Sequence, residues 1–95
     1  MIYKLIVQEE AGLEILENYI NYESIQTGLG EKFLLQVEKY FLQIKDNPRH
    51  FQIKKNKYRE AYLRKFPYII IFDMVDDRVI VLSVFNTRQN PEYKS

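Results

Sequence analysis

The chain contains no cysteine. A disulfide framework and a thiolate metal site are therefore excluded, and a reducing compartment is permitted. It has a single histidine, His50. No Ser, Cys or second His stands at a spacing known for nucleophilic catalysis or metal ligation, so His50 reads as a loop-surface residue. Asp73, Asp76 and Asp77 lack a ligand spacing, and Asp76-Asp77 reads as turn chemistry. No metal and no cofactor are expected. Apolar runs fall far short of the about 20 residues of a membrane span. The opening residues 1–7 turn acidic at Glu9-Glu10, without the long apolar stretch and small-residue cleavage site of a signal peptide. A soluble, cytoplasmic domain with no membrane partner is expected. With a formal net charge of +1, bulk charge names no partner.

What is present is core material and an uneven charge distribution. The 95 residues suit one domain, 1–95, and aromatics make up 15% of them, so a core can be filled despite the small size. Residues 1–48 carry eight acids against four bases, and residues 49–95 carry ten bases against five acids. Six of the bases, Lys54, Lys55, Lys57, Arg59, Arg64 and Lys65, fall within twelve residues. Two readings stay open: a surface for an anionic partner, or an edge strand guarded by cations against aggregation.

Residues 58–91 organise the rest. They hold three strand-like runs: 58–66, then 68–75 after Pro67, then 79–85. The short links make them a meander. Upstream, 1–7 reads as a first strand in the sheet interior or under the helices. Residues 9–23 have helical spacing, with Leu13, Leu16 and Ile20 as the apolar stripe and Ile15 and Tyr19 beside it. Glu14, Glu17 and the other acids of this helix read as a solvated face. Gly28 and Gly30 interrupt it. A second helix spans 29–46 on Leu34, Val37, Phe41 and Ile44, and Asn47-Pro48 ends it. Residues 49–57 read as a polar connector with Phe51 and Ile53 pinned to the core.

The order β-α-α-β-β-β predicts an α+β fold, a helical hairpin on one face of a four-stranded, mainly antiparallel sheet. Tyr68, Ile70, Phe72, Ile80, Leu82 and Val84 are the expected core face. Ile69, Ile71, Val79, Val81 and Phe85 would form an apolar patch on the other face. Such a patch predicts a partner.

The pattern Tyr58-Arg59, Leu63, Lys65-Phe66-Pro67-Tyr68-Ile69-Ile70-Ile71-Phe72, residues 79–84 and Asn86-Thr87-Arg88-Gln89-Asn90-Pro91 resembles the RelE/ParE superfamily of bacterial toxins. Lys65-Phe66-Pro67-Tyr68 resembles its ParE-like branch in particular. The resemblance implies the toxin of a type II toxin–antitoxin module, of the plasmid-stabilising kind. A cognate antitoxin would cover Ile69, Ile71, Val79, Val81 and Phe85, and operator DNA would be reached only through that antitoxin. A homodimer is compatible with it.

RelE-like members cut messenger RNA on the ribosome and ParE-like members poison DNA gyrase. A ribonuclease needs cations around the phosphorane and an acid and a base for the oxygens. The resemblance puts Glu60, Tyr62 and Ile69 where RelE-like proteins carry lysines and an arginine. A nuclease would be left with Arg88, Tyr93 and Arg59. The ParE-like branch is matched by Arg59, Phe66-Pro67-Tyr68, Arg88 and Pro91, whereas its His and second arginine are here Asn86 and Gln89. Arg59, Arg64, Lys65 and Arg88 are the implied target-binding residues, and Arg59 reads equally as a strut within the sheet. A gyrase inhibitor without catalytic residues, a ribosome-dependent ribonuclease and an attenuated, non-toxic binding module remain the three readings.

Overall fold

A computed structural model describes residues 2–88. Met1 of the expected first strand and Gln89, Asn90, Pro91 and Tyr93 of the tail motif lie outside the described residues. The order is β1 (Lys4–Val7), α1 (Glu9–Ile25), α2 (Leu29–Asp46), a 3₁₀ turn (Pro48–His50), β2 (Ile53–Lys55), β3 (Tyr58–Tyr62), β4 (Tyr68–Val75) and β5 (Arg78–Asn86). Both helices therefore lie where their periodicity predicts them. The sheet has five strands rather than four, in the order β1-β5-β4-β3-β2. The extra strand, β2, comes from the expected connector. Asn56 turns it back onto β3 with a left-handed backbone, φ 56°, a conformation that asparagine tolerates well. Phe51 packs on the core as expected, but Ile53 is exposed.

β1 is an edge strand and the one parallel partner, paired Lys4 to Arg78 through Val7 to Val81. The meander β2-β3-β4-β5 is antiparallel. A bulge in β5 decides which side chains reach the core. Ile71 is opposite Ser83 and Phe72 is opposite Val81, which leaves Leu82 without a partner. One extra residue reverses the side-chain alternation along the rest of the strand. Val84, Val81 and Val79 therefore all lie on the face of Ile70, Phe72 and Met74, and all three valines are fully buried in the core. This corrects the expectation for Val79 and Val81, which are not available to a partner, and for Ile80 and Leu82, which are only half-buried and lie outside the core cluster. On the opposite face Ile71 and Phe85 expose under a tenth of their surface and Ile69 is half-buried. The expected apolar patch is thus much reduced.

The helical hairpin covers the Ile70–Phe72 face. On α1 the inward residues are Ala11, Ile15, Asn18 and Tyr22, at steps of four, three and four. The expected stripe of Leu13, Leu16 and Ile20 points outward, each more than half exposed. On α2, Val37 and Ile44 of the expected stripe are buried, Leu34 and Phe41 are partly buried against the core, and Phe33 beside them is fully buried. The hairpin is closed by Glu23. Its carboxylate accepts hydrogen bonds from the Gly28, Gly30 and Glu31 amides at 2.8–3.2 Å, so α2 takes its N-terminal cap from the preceding helix. Gly30 is buried where a Cβ would come within 2.7 Å of the Tyr19 carbonyl oxygen.

Candidate functional site

Two regions carry the polar residues singled out by sequence. On the sheet face away from the helices, Glu60 is opposite Ile71 and Tyr62 is opposite Ile69, so all four share that face. The Tyr62 hydroxyl donates to Glu60 Oε1 at 2.7 Å, and this bond to a carboxylate holds the phenol above its ordinary pKa near 10. Lys54 Nζ stands 6.0 Å from the Tyr62 ring centroid. Lys57 Nζ pairs with Asp73 Oδ2 at 3.3 Å. Glu60, Tyr62 and Ile69 themselves carry no positive charge with which to cradle a phosphorane, and the cation and imidazole beside them are Lys54 and His50, which line the same shallow pocket as Glu60 and Tyr62.

The second region is one end of the sheet, where β3 turns into β4 and β5 runs out. Thr87 donates twice to the Pro67 carbonyl, from its amide at 2.8 Å and from Oγ1 at 3.0 Å. That clamp brings the turn carrying Arg64 and Lys65 beside the turn carrying Arg88, and all three are exposed. The Lys65 amide is fixed on α2 by Gln36 Oε1 at 2.8 Å. Beneath them lies a polar cluster. The Tyr68 hydroxyl donates to Asn18 Oδ1 and accepts from Asn86 Nδ2, and Asn86 Oδ1 accepts from the Arg88 amide at 2.9 Å. Asn18 in turn donates to the Glu14 carbonyl at 2.7 Å. Burial raises the pKa of Tyr68 well above its ordinary value, so the hydroxyl stays neutral and remains a donor. Arg88 is therefore presented from a turn whose backbone is fixed to α1 through three side chains.

Comparison with known proteins agrees with this architecture. The family model described as ParE toxin of type II toxin-antitoxin system, parDE, matches residues 7–91. The chain belongs to the ParE toxin family. Among solved structures, the chromosomal ParDE system from P. aeruginosa is similar with a TM-score of 0.81 at 12% identity, over 90% of this chain and 96% of that one. An E. coli RelE carrying two arginine-to-alanine substitutions, in complex with a peptide of the antitoxin RelB, is similar with a TM-score of 0.70 at 20% identity, over 99% and 93%. The same RelE variant in its free state gives 0.62 at 19%, with the same coverage. At these identities the structures show a shared fold. No curated protein is significantly similar to the chain in sequence. No helix among the described residues is long and apolar enough to cross a membrane.

Of the residues expected to meet a target, Arg64, Lys65 and Arg88 lie on two turns bonded to each other through Thr87 and Pro67, and Arg59 lies apart from them. Arg59 pairs with Phe72 on the helix side of the sheet, and its Nη1 donates to the Phe51 carbonyl at 2.6 Å. It fastens the 47–52 connector to the sheet. Among the described residues no group of His, Asp and Glu has the geometry of a metal site. Sequence reasoning missed the Asn18–Tyr68–Asn86 cluster and the role of Glu14. Glu14 Oε1 accepts from the Ser83 hydroxyl at 2.9 Å and the Val84 amide at 2.8 Å, where β5 has run past the end of β1. The one available signal was Asn18, a polar residue on the inward side of an otherwise apolar helical repeat.

Proposed function

We propose that this toxin inhibits DNA gyrase by binding, through the basic end formed by Arg64, Lys65 and Arg88, and that a cognate antitoxin neutralises it. The observation that carries this reading is the occupancy of the sheet face away from the helices. Glu60 and Tyr62 bond to each other beside Ile69, where a ribonuclease of this fold needs free cations. Arg64, Lys65 and Arg88 lie at the end of the sheet, on turns held in place by Thr87, Gln36 and Asn86. That is a preorganised binding surface, with no acid–base pair beside it among the described residues. The family assignment supports the antitoxin, and operator DNA is reached through it. Gyrase as target places the action in the bacterial cytoplasm.

The test is to induce the lone chain in bacteria and to add the purified chain to gyrase in vitro. Growth arrest with inhibited supercoiling and intact messenger RNA is the expected result. Charge reversal of Arg64 and Arg88 together should abolish inhibition and leave the fold intact. Arrest with cut messages and unaffected supercoiling would make the chain a ribonuclease. Antitoxin binding without arrest would make it a non-toxic binding module.

A further inference from the structure

A groove of about 510 Å³ runs between α2 and the β3–β4 turn, lined by Lys32, Leu35, Gln36, Lys39, Lys65 and Phe66. Three of the six lining residues are lysines and none is an acid. Neither Lys32, Lys39 nor Lys65 is held in an ion pair with a described residue. Lys32 and Lys39 are seven residues apart on one helix, so their charges are spread over about 10 Å of its length, with Leu35 between them. Leu35 is 63% exposed and has no packing role to explain it. The two walls are tied together by the Lys65 amide bonded to Gln36 Oε1, so the groove is fixed before anything binds.

This chemistry selects its occupant. A single phosphate cannot satisfy cations spread along two helical turns, and it has no use for an aliphatic floor. Single-stranded nucleic acid would want an aromatic platform. Phe66 is instead half-buried against Tyr22 and Phe33, with ring centroids at 5.2 and 5.5 Å. An extended or helical peptide with acids flanking an apolar side chain matches both the charges and the floor.

We infer that the groove between α2 and the β3–β4 turn seats an acidic, apolar-anchored segment of the cognate antitoxin. Because Lys65 belongs both to this groove and to the basic end, a segment seated here shields the surface that meets the target. Neutralisation is then direct competition at Lys65. The inference rests on the antitoxin-neutralised toxin proposed above and does not depend on which macromolecule the toxin poisons.

The probe is a labelled synthetic peptide alternating glutamate and leucine, followed by fluorescence anisotropy on the full chain. A lysine–leucine peptide and a single-stranded oligonucleotide serve as comparisons. The acidic peptide should bind best. The double variant Lys32→Glu, Lys39→Glu should weaken it by about tenfold or more, and so should raising salt toward 1 M, where the screening length falls to about 3 Å. In cells, the same variant should still arrest growth but escape its cognate antitoxin. Its thermal midpoint should match the parent, since both lysines are exposed. Equal binding of the acidic and basic peptides, preference for the oligonucleotide, or unchanged antitoxin neutralisation of the variant would each overturn the assignment. Loss of growth arrest with undiminished antitoxin binding would give the groove to the target and overturn it too. Failure of gyrase inhibition alone would strike the proposed target and leave these peptide results standing.

Discussion

Glu23 belongs to α1 by sequence and to α2 by function. Its side chain caps the second helix, and that capping requires the two helices to meet closely at Gly30. Gly30→Ala drives a methyl group against the Tyr19 backbone and the Glu23 side chain. It should cost about 1–3 kcal/mol in denaturant unfolding, despite the better helix propensity of alanine. The glycine pair was legible as a break, but its packing role was not, because close approach is a property of two elements. Tyr68 gives a second residue-scale prediction. Its folded pKa is raised, so its contribution is fully present below the unfolded value near 10 and is lost as pH rises past that value toward the folded pKa. Tyr68→Phe should cost about 1–3 kcal/mol near neutral pH, by leaving Asn18 and Asn86 without their shared partner. The difference between parent and variant should shrink in unfolding measurements carried above pH about 10, because only the parent then loses stability through this group. The sequence marks Tyr68 as a core-face residue at the entry to a strand, but gives no sign of what its hydroxyl bonds. Its hydroxyl acquires a role only once α1 lies across it.

Among the elements, α2 was read correctly in both bounds and face, since its apolar repeat has one solution. On α1 two stripes compete. Leu13, Leu16 and Ile20 are the more hydrophobic, yet Ala11, Ile15, Asn18 and Tyr22 face the sheet. Small Ala11 allows close approach, and Glu14 and Asn18 find polar partners on β5 and β4. Periodicity weighs hydrophobicity alone and cannot see those bonds. In β5 a bulge interrupts the two-residue alternation and puts Val79 and Val81 on the face opposite to the one that strict alternation predicts. A run apolar on both sides gives no warning of such a slip, because either register buries valine or isoleucine. Arg59 tests the element it fastens. If it is a strut holding the 47–52 connector, Arg59→Ala should lower stability by about 1–3 kcal/mol, since the Phe51 carbonyl loses a charged donor. Inhibition measured at a temperature where the variant is folded should be unchanged. Loss of inhibition at full stability would restore Arg59 to the target surface.

At the scale of the whole molecule, the order of elements and the family were legible because each strand and helix had local signals, and because the Lys65-Phe66-Pro67-Tyr68 run is distinctive. The site was less legible. The six cations of residues 54–65 are neighbours in sequence but separate in the fold. Lys57 turns to Asp73, Lys54 to Tyr62 and Arg59 to the connector, Lys55 stays on β2, and Arg64 and Lys65 lie on the turn bonded to that of Arg88. Hairpin geometry, which sends alternate residues to opposite faces and opposite ends of a strand to opposite ends of the sheet, disperses a linear charge cluster. The pairing of β1 with β5 has a further consequence, in time. Lys4 waits for Arg78, so the sheet cannot close until β5 has been made. At roughly 5–20 residues per second, several seconds pass between the synthesis of α2 and that of β5, during which the residues of α1 and α2 have no finished sheet to cover. Contacts of such long sequence separation are also the slow ones to make. For that interval the lysines of α2 are accessible while the sheet that completes the fold does not yet exist.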